Sequence, residues 1–279
     1  RLAGRELLAA PLLPCFSRAV TDNDVGFQYH PAGARIFSRQ MALWPAPQFV
    51  PESFEVTTTD DYAEVKTVFE PLYGMVRVET CYRIHADGTL VGTLRTFDGG
   101  DMASAPEFFR VGMETTLPGR YSTVDFYGKG PYETYSDRQS SARTGHYVQS
   151  VAEQYHYGYV HPQESGTHVG LKWFRLTDDS GYGLEITSPA QFSASALPFT
   201  RQDLTDFSSP FASEELSSVS SRYSHSEELR PAAHEADRSR GVTHLNFDLV
   251  QRGLGCIDSF GSLPRPEYRI PADAYTFEF

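Results

Sequence analysis

Three histidines, His156, His161 and His168, lie close together and could bind a metal or transfer protons. Zinc-binding pairs are typically two residues apart on a strand or four apart on a helix, with a further ligand elsewhere. The spacings here are five and seven, so the sequence predicts no zinc site. His156 or His161 could instead join Glu164 as the acid and base that an aldose mutarotase or epimerase needs.

A second reactive segment, residues 128–138 (GKGPYETYSDR), combines two carboxylates, two phenols and a guanidinium. Its G-x-G lacks the third glycine and the helix N-terminus that a phosphate-binding loop requires, and a proline follows. Nucleotide binding is therefore not predicted. We expect Asp137 and Arg138 to fix this loop through charge-assisted hydrogen bonds, either to the backbone or to each other.

Other reactive residues carry weaker signals. Cys15, Cys81 and Cys256 are odd in number and form no C-x-x-C pair, so buried thiols are expected, not disulfides or a thiolate metal site. No G-x-S-x-G motif marks a nucleophilic serine. Residues 22–26 (DNDVG) resemble the start of a calcium loop but lack its other ligands, including the final glutamate.

The elements that would position these residues are mostly strands. Residues 75–84 alternate apolar and polar side chains, and Asp87-Gly88 predicts the hairpin turn to a strand at 89–97. Further strands are predicted at 64–69, 108–114, 122–127, 168–176, 183–188, 244–249 and 275–279. Short helices are predicted at 141–155 and at 201–204, the second capped by Thr200.

This pattern predicts an all-β fold, a large antiparallel β-sandwich formed by one domain over residues 1–279. Aromatic residues make up 13 % of the chain, and they favour strands. No strands alternate with amphipathic helices, which argues against a parallel α/β sheet or barrel. Residues 208–241 are rich in Ser, Glu, Arg and His, and we expect them to be a loop insertion.

Charge and hydropathy limit the partners. The net charge is −12, without a run of Lys or Arg, so nucleic-acid binding is not expected. No stretch approaches the ~20 apolar residues of a membrane span, so no membrane partner is expected. The opening residues 1–6 resemble neither an initiator segment nor a signal peptide, and we expect a longer polypeptide around the chain. The composition favours no particular compartment.

Four separated motifs share one resemblance. They are residues 16–26 (FSRAVTDNDVG), 125–138 (DFYGKGPYETYSDR), 159–166 (YVHPQESG) and 252–261 (RGLGCIDSFG). In this order they resemble segments of the C-terminal domain of large bacterial β-galactosidases of glycoside hydrolase family 2. The second motif matches the family signature at Gly130, Pro131, Glu133, Tyr135, Asp137 and Arg138.

Four positions depart from the family pattern. Val20 replaces the proline after the Arg-Ala pair, and Thr134 replaces the usual asparagine. Cys256 stands for a glycine of the last motif, and Phe260 for its tryptophan. These changes bear on substrate preference more than on the fold.

The resemblance implies a galactose-mutarotase-like β-sandwich that packs beside a catalytic barrel and completes its active-site wall. The family's two catalytic carboxylates belong to that barrel, and one lies in an Asn-Glu pair. Asn23 and Asn246 are the only asparagines here, and neither precedes a glutamate. We therefore expect no catalytic residue in this chain and no activity when it is isolated. No cofactor is expected here either, because the family's magnesium and sodium ions belong to other domains.

The resemblance also implies site residues and partners. Phe260 would offer its ring as a platform for a sugar, with Asp258 and Ser259 at the same rim. Asp24, Gly26 and Phe27 would form the hinge of a mobile active-site loop. The expected partners are a β-galactoside and the catalytic barrel.

Two other functions stay open at this point: a stand-alone mutarotase or epimerase, and a carbohydrate-binding module. Polarimetry on fresh α-galactose would detect the first. Saturable binding to β-galactans that is lost in Phe260→Ala would detect the second.

Overall fold

The computed structural model describes residues 4–19, 21, 23–24, 44, 49–201, 203–204, 226–227, 229, 241–255 and 263–279. These residues form two antiparallel sheets of seven and five strands. The strands are β1 (Leu13–Cys15), β2 (Pro51–Thr58), β3 (Tyr62–Phe69), β4 (Val76–His85), β5 (Leu90–Asp98), β6 (Arg110–Pro118), β7 (Thr123–Gly130), β8 (Arg143–Ser150), β9 (His168–Thr177), β10 (Gly183–Leu197), β11 (Val242–Gln251) and β12 (Tyr275–Glu278).

The seven-stranded sheet has the order β1-β6-β11-β10-β9-β7-β8. Its central strand pairs, β6 with β11 and β10 with β11, join residues that are distant in sequence: Phe247 lies opposite both Met113 and Ala194. β11 therefore joins the two halves of this sheet. Its C-terminal end, at Gln251, leads directly into the glycine-containing motif at 252–261.

The five-stranded sheet has the order β12-β5-β4-β3-β2. Its strands β2 to β5 are consecutive antiparallel neighbours, and the hairpin between β4 and β5 pairs Ile84 with Leu90. The last strand, β12, pairs with β5 at one edge. Every residue of β2, at the other edge, is exposed.

One hydrophobic core lies between the sheets. Val124 and Phe174 of the larger sheet belong to the same buried cluster as Val78, Leu94 and Phe277 of the smaller sheet. Alternation of buried and partly buried residues along β7 and the first half of β4 matches this arrangement, because a strand turns successive side chains to opposite faces. The predicted all-β sandwich is confirmed.

The predicted helix at 141–155 is wrong. Residues 143–150 form β8, and only Val151–Glu153 form a short 3-10 turn. Backbone pairing with β7 decides the conformation, and Tyr147 packs its ring 5.3 Å from that of Phe126. At 201–204 the described residues form a turn, which Thr200 and Asp203 hold through reciprocal side-chain to backbone hydrogen bonds.

The expected insertion at 208–241 lies mostly outside the described residues. Leu229, which is described, is buried in a second cluster that includes Tyr155, Phe199 and Leu204. Among the described residues, none belongs to a helix long and apolar enough to cross a membrane.

Candidate functional site

The side chain of Asp137 holds the backbone directly after β11. Its Oδ1 accepts a hydrogen bond from the N–H of Leu254 at 3.0 Å, and its Oδ2 accepts one from the N–H of Gly255 at 2.8 Å. A Cβ at Gly253 would lie 2.5 Å from the carboxylate, and Gly255 has a φ of +75°. The glycines of this motif are therefore required by the close approach and by the left-handed backbone.

The Asp-Asn-Asp motif is fastened to the same piece of backbone. Arg18 donates to the carbonyl of Arg252 at 2.8 Å, and its guanidinium also binds Asp24 at 3.1 Å. The Asn23 amide donates to the carbonyl of Leu254 at 3.1 Å. Carbonyl groups of residues 252–255 thus accept hydrogen bonds from the motif at 16–26, and N–H groups of the same residues donate to Asp137 of the motif at 125–138. We call residues 252–255 the loop anchor.

Glu133 connects the motif at 159–166 to the motif at 125–138. Its carboxylate accepts hydrogen bonds from the hydroxyl of Ser165 at 2.9 Å, from the N–H of Gly166 at 2.8 Å, and from Tyr159. The exposed Arg138 donates to the Tyr159 hydroxyl at 3.3 Å. The four motifs, distant in sequence, therefore lie in one hydrogen-bonded network.

The turn that carries these residues is itself closely held. Tyr135 and Arg138 exchange two backbone hydrogen bonds, at 3.0 and 2.9 Å. Tyr135 is buried, and burial raises the pKa of its phenol well above the usual value. Gly130 ends β7, and its peptide bond to the exposed Pro131 is cis.

A buried charge cluster lies beneath the network. Arg110 is 3.0 Å from the carboxylate of Glu164 and 3.5 Å from that of Asp248, and all three residues are buried. Gln251 also donates to Glu164, at 2.8 Å. Burial alone would lower the pKa of Arg110, but the two carboxylates raise it well above its ordinary value. Burial raises the pKa of Asp248 to about 7, against the effect of Arg110.

Arg252 extends this buried charge into the loop anchor. Its guanidinium lies 3.0 Å from Glu107, which also binds Arg269. Burial lowers the pKa of Arg252 to about 10. The guanidinium lies 5.5 Å from the centre of the Phe109 ring, a distance that allows a cation–π interaction.

The histidines do not form a centre with Glu164. Glu164 is buried in its pair with Arg110, whereas His156 and His161 are exposed. His168 is buried, and burial lowers its pKa to about 4, so it is neutral near pH 7. Within the described part of the chain, no three His, Cys, Asp or Glu side chains are grouped to hold a metal ion.

The predicted site residues divide into two groups. Asp24, Gly130, Pro131, Glu133, Tyr135, Asp137 and Arg138 are described, and they belong to the network or to its turn. Gly26, Phe27, Asp258, Ser259 and Phe260 lie outside the described residues.

Sequence reasoning missed two members of the buried cluster, Arg110 and Asp248. Each interrupts an apolar run: Arg110 follows Phe108-Phe109, and Asp248 stands between Phe247 and Leu249. A charged residue on a buried strand face needs a partner, so these interruptions were the available signal.

The sequence profile of the β-galactosidase small chain matches residues 1–279. The chain belongs to this family. Among its relatives, a β-galactosidase of Halalkalibacterium halodurans is 28 % identical over 97 % of this chain, and one of Priestia megaterium is 29 % identical over 98 %. The β-galactosidase BgaC of Bifidobacterium adolescentis is 33 % identical over 62 % of the chain.

This member of the β-galactosidase small-chain family spans about a quarter of the first relatives' length, 24 % and 23 %. The profile covers all four motifs, so the network that joins them lies wholly within the small-chain region. Its residues come from the segments that follow β1, β7 and β11 and from the segment before β9, which the two-sheet fold brings together.

Proposed function

We propose that this chain is the non-catalytic small-chain domain of a β-galactosidase, and that it completes the active-site wall and contacts the carbohydrate. The observation that carries the proposal is the attachment of Asp137 to the loop anchor. Gly255, the last residue that Asp137 binds, immediately precedes residues 256–262 in the sequence, which include Asp258, Ser259 and Phe260. The relatives, named β-galactosidases, support the substrate class.

The role of the anchor is to fix the start of the segment that carries Phe260. An aromatic ring can bind the C–H-rich face of a pyranose, but only if its position is held before the sugar arrives. Two charge-assisted hydrogen bonds from consecutive N–H groups to one carboxylate define both the position and the direction of the backbone.

The second segment in the proposal begins at Asp24 and continues to Gly26 and Phe27. Arg18 binds both Asp24 and the carbonyl of Arg252, so the two segments share one support. If the residues after Asp24 act as a hinge, Arg18 would hold the start of that hinge against the loop anchor, which leads into the segment that carries Phe260.

The state of the acids in the network supports a non-catalytic role. A retaining glycosidase needs two carboxyl groups about 5–5.5 Å apart, one as acid/base and one as nucleophile. Glu133, Asp137 and Glu164 instead each accept two or more hydrogen bonds from the protein itself. Such carboxylates hold backbone and side chains in place.

The test uses the full-length enzyme that contains this chain. Phe260→Ala should raise KM for nitrophenyl β-galactoside by roughly tenfold, because losing an aromatic contact costs about 1–3 kcal/mol. Phe54→Ala, on the exposed strand β2, is the matched control and should leave KM unchanged. An unchanged KM in Phe260→Ala would contradict the proposed contact.

The non-catalytic part of the proposal has its own test. The 279-residue chain alone should not hydrolyse nitrophenyl β-galactoside at any pH. Turnover by the purified chain that a point substitution within it abolishes would refute this part.

A further inference from the structure

One face of the five-stranded sheet is buried near β12 and exposed near β2. Phe277 of β12, Leu94 of β5 and Phe54 of β2 lie in a single row across this sheet, as the strand register shows. Phe277 and Leu94 are 0 % exposed, whereas Phe54 is 63 % exposed. The face that lines the core of the sandwich therefore continues to the β2 edge, where the described residues leave it open.

The open part of this face is apolar. Val56 follows Phe54 on the same side of β2, and Ile84 pairs with Leu90 at the β4–β5 hairpin. All four side chains are exposed, and we call them the apolar patch. Val65, which lies opposite Val56 and diagonally across from Ile84, connects the two pairs. Single exposed apolar residues are common, but a contiguous group of them is typical of an interaction surface.

The opposite face of the same strands is charged and suits contact with water. Arg83 pairs there with Glu64. Lys66 pairs with Glu79 on the same face. Val91 lies opposite Arg83, so this exposed valine is a single apolar residue among charged ones. The two faces thus differ in their composition, and the apolar patch is confined to the face that lines the core.

A second copy of this chain fits the patch poorly. Pro51 lacks the backbone N–H that pairing along the β2 edge would use. Two β2 strands brought edge to edge would also place Glu52 and Glu55 of one copy near those of the other, and like charges across a strand pair are destabilising. The net charge of −12 adds repulsion between the copies.

The parent polypeptide fits better. The chain spans about a quarter of the length of the first relatives, so most of such a polypeptide lies outside these 279 residues. The first described segment also reaches the patch: the carbonyl of Leu12 accepts a hydrogen bond from Tyr82 at 3.4 Å, and Tyr82 lies opposite Val65. A partner that is covalently joined to this chain meets the patch at a high effective concentration.

We propose that the apolar patch binds an apolar surface of the parent β-galactosidase polypeptide outside these 279 residues. The inference rests on the proposed function, which supplies that larger polypeptide. The patch takes the place of a hydrophobic core between two parts of one enzyme, because the face that carries it already forms core at its other edge.

The patch lies away from the segment that carries Phe260. The N–H of Arg252, in the loop anchor, donates to the carbonyl of Phe109. The neighbouring Phe108 packs its ring against that of Tyr275, which pairs with Thr96. Leu90 lies at the opposite end of β5 from Thr96, about 20 Å along the strand. The patch therefore holds parts of the enzyme together and does not contact the sugar.

The test compares thiol labelling of Val56→Cys in the isolated 279-residue chain and in the full-length enzyme, with mass spectrometry to identify the labelled peptide. Labelling should be rapid in the isolated chain and at least about tenfold slower in the full-length enzyme, because the reagent reaches only an accessible thiol. Val91→Cys is the matched control: Val91 is 44 % exposed against 57 % for Val56, but on the charged face. It should be labelled at the same rate in both proteins.

Ile84→Cys supplies a second position in the patch if Val56→Cys does not fold, with the same expected result. Equal rates in the two proteins would overturn the proposal, because the patch would then face water in the enzyme. Slow labelling of the isolated chain would also overturn it: a rate that rises on dilution would show that a second copy covers the patch, and a constant rate that the chain covers its own patch. Phe260→Ala should leave all these rates unchanged, so failure of this inference and failure of the proposed function are distinguishable.

Discussion

Charged side chains are arranged differently in two regions of this molecule. In and around the loop anchor, Arg18, Arg110 and Arg252 are buried, and each binds acids or carbonyls from distant parts of the chain. On the five-stranded sheet, Arg83 and Lys66 pair with acids of neighbouring strands on the exposed face. The first set fixes backbone geometry, and the second lies on a surface that the sheet already defines.

The difference shows what a buried charge requires. An exposed pair is screened by water and contributes little, whereas a buried charge that loses its partner is strongly destabilising. A buried network therefore specifies one arrangement of its loops. In this chain that network lies where the four sequence motifs meet.

The largest effect is expected from Arg110→Met. This change leaves the buried carboxylates of Glu164 and Asp248 without their cation, so the free energy of unfolding should fall by about 3–5 kcal/mol. Urea unfolding would measure the loss. Adding Glu164→Gln and Asp248→Asn to Arg110→Met should recover part of it. A loss below about 1 kcal/mol for the single variant would show that the cluster does not behave as a buried charge network.

The next effect concerns pH. Burial lowers the pKa of His168 and of His244 from 6.5 to about 4, so the unfolded chain binds protons that the folded chain excludes. Stability should therefore fall as the pH drops from about 6.5 to 4, by up to about 3 kcal/mol for each histidine. Asp248 acts in the opposite direction, because burial raises its pKa to about 7 and the folded chain therefore holds a proton that the unfolded chain releases. The stability that this proton contributes is lost as the pH rises from about 4 to 7.

Comparing variants isolates the histidine contribution. Urea unfolding at pH 7.5 and 4.5 should show a smaller acid-induced loss in His168→Gln than in the wild type. His146→Gln, on the exposed β8, should keep the wild-type difference. Equal losses in all three proteins would rule out His168 as a source of the pH dependence.

A smaller loss is expected from Asp137→Ala. The change removes the acceptor of two backbone N–H groups, and it should lower the free energy of unfolding by about 1–3 kcal/mol. Hydrogen exchange at the amides of Leu254 and Gly255 should accelerate at the same time. Asp125→Ala, on the partly exposed side of β7, is the control and should leave both amides protected. Unchanged exchange at these amides would show that Asp137 does not hold the anchor.

The smallest effect is expected on the five-stranded sheet. Arg83→Ala removes an exposed pair with Glu64 and should leave the melting temperature unchanged within error, as measured by calorimetry. A clear drop in melting temperature would show that exposed pairs stabilise this chain as buried ones do, and the two regions would then not differ in this respect.

The sequence allowed the fold to be predicted where local signals sufficed. The β4–β5 hairpin follows from alternation and from an Asp-Gly turn, both readable within a few residues. β8 was mispredicted because its inward-facing residues include Gly145 and Gln149, which do not mark a buried strand face. β2 was missed because it is exposed throughout and has few apolar residues.

The site was predictable only in part. The resemblance indicated Asp137 and Glu133, since both lie in a contiguous motif. Their partners could not be read, because Asp137 binds residues more than a hundred positions later and Arg110 meets Asp248 only through strand pairing. Contacts of this kind are a property of the topology and not of any local pattern.

The place of β11 between β6 and β10 has a consequence for synthesis on the ribosome. Until residues 242–251 have emerged, the larger sheet consists of two separate pieces, and the facing edges of β6 and β10 are both unpaired. Unpaired edges of this kind can join strands of other chains. A nascent chain that stalls before β11 therefore presents two sites for aggregation, and the arrival of one late strand removes both.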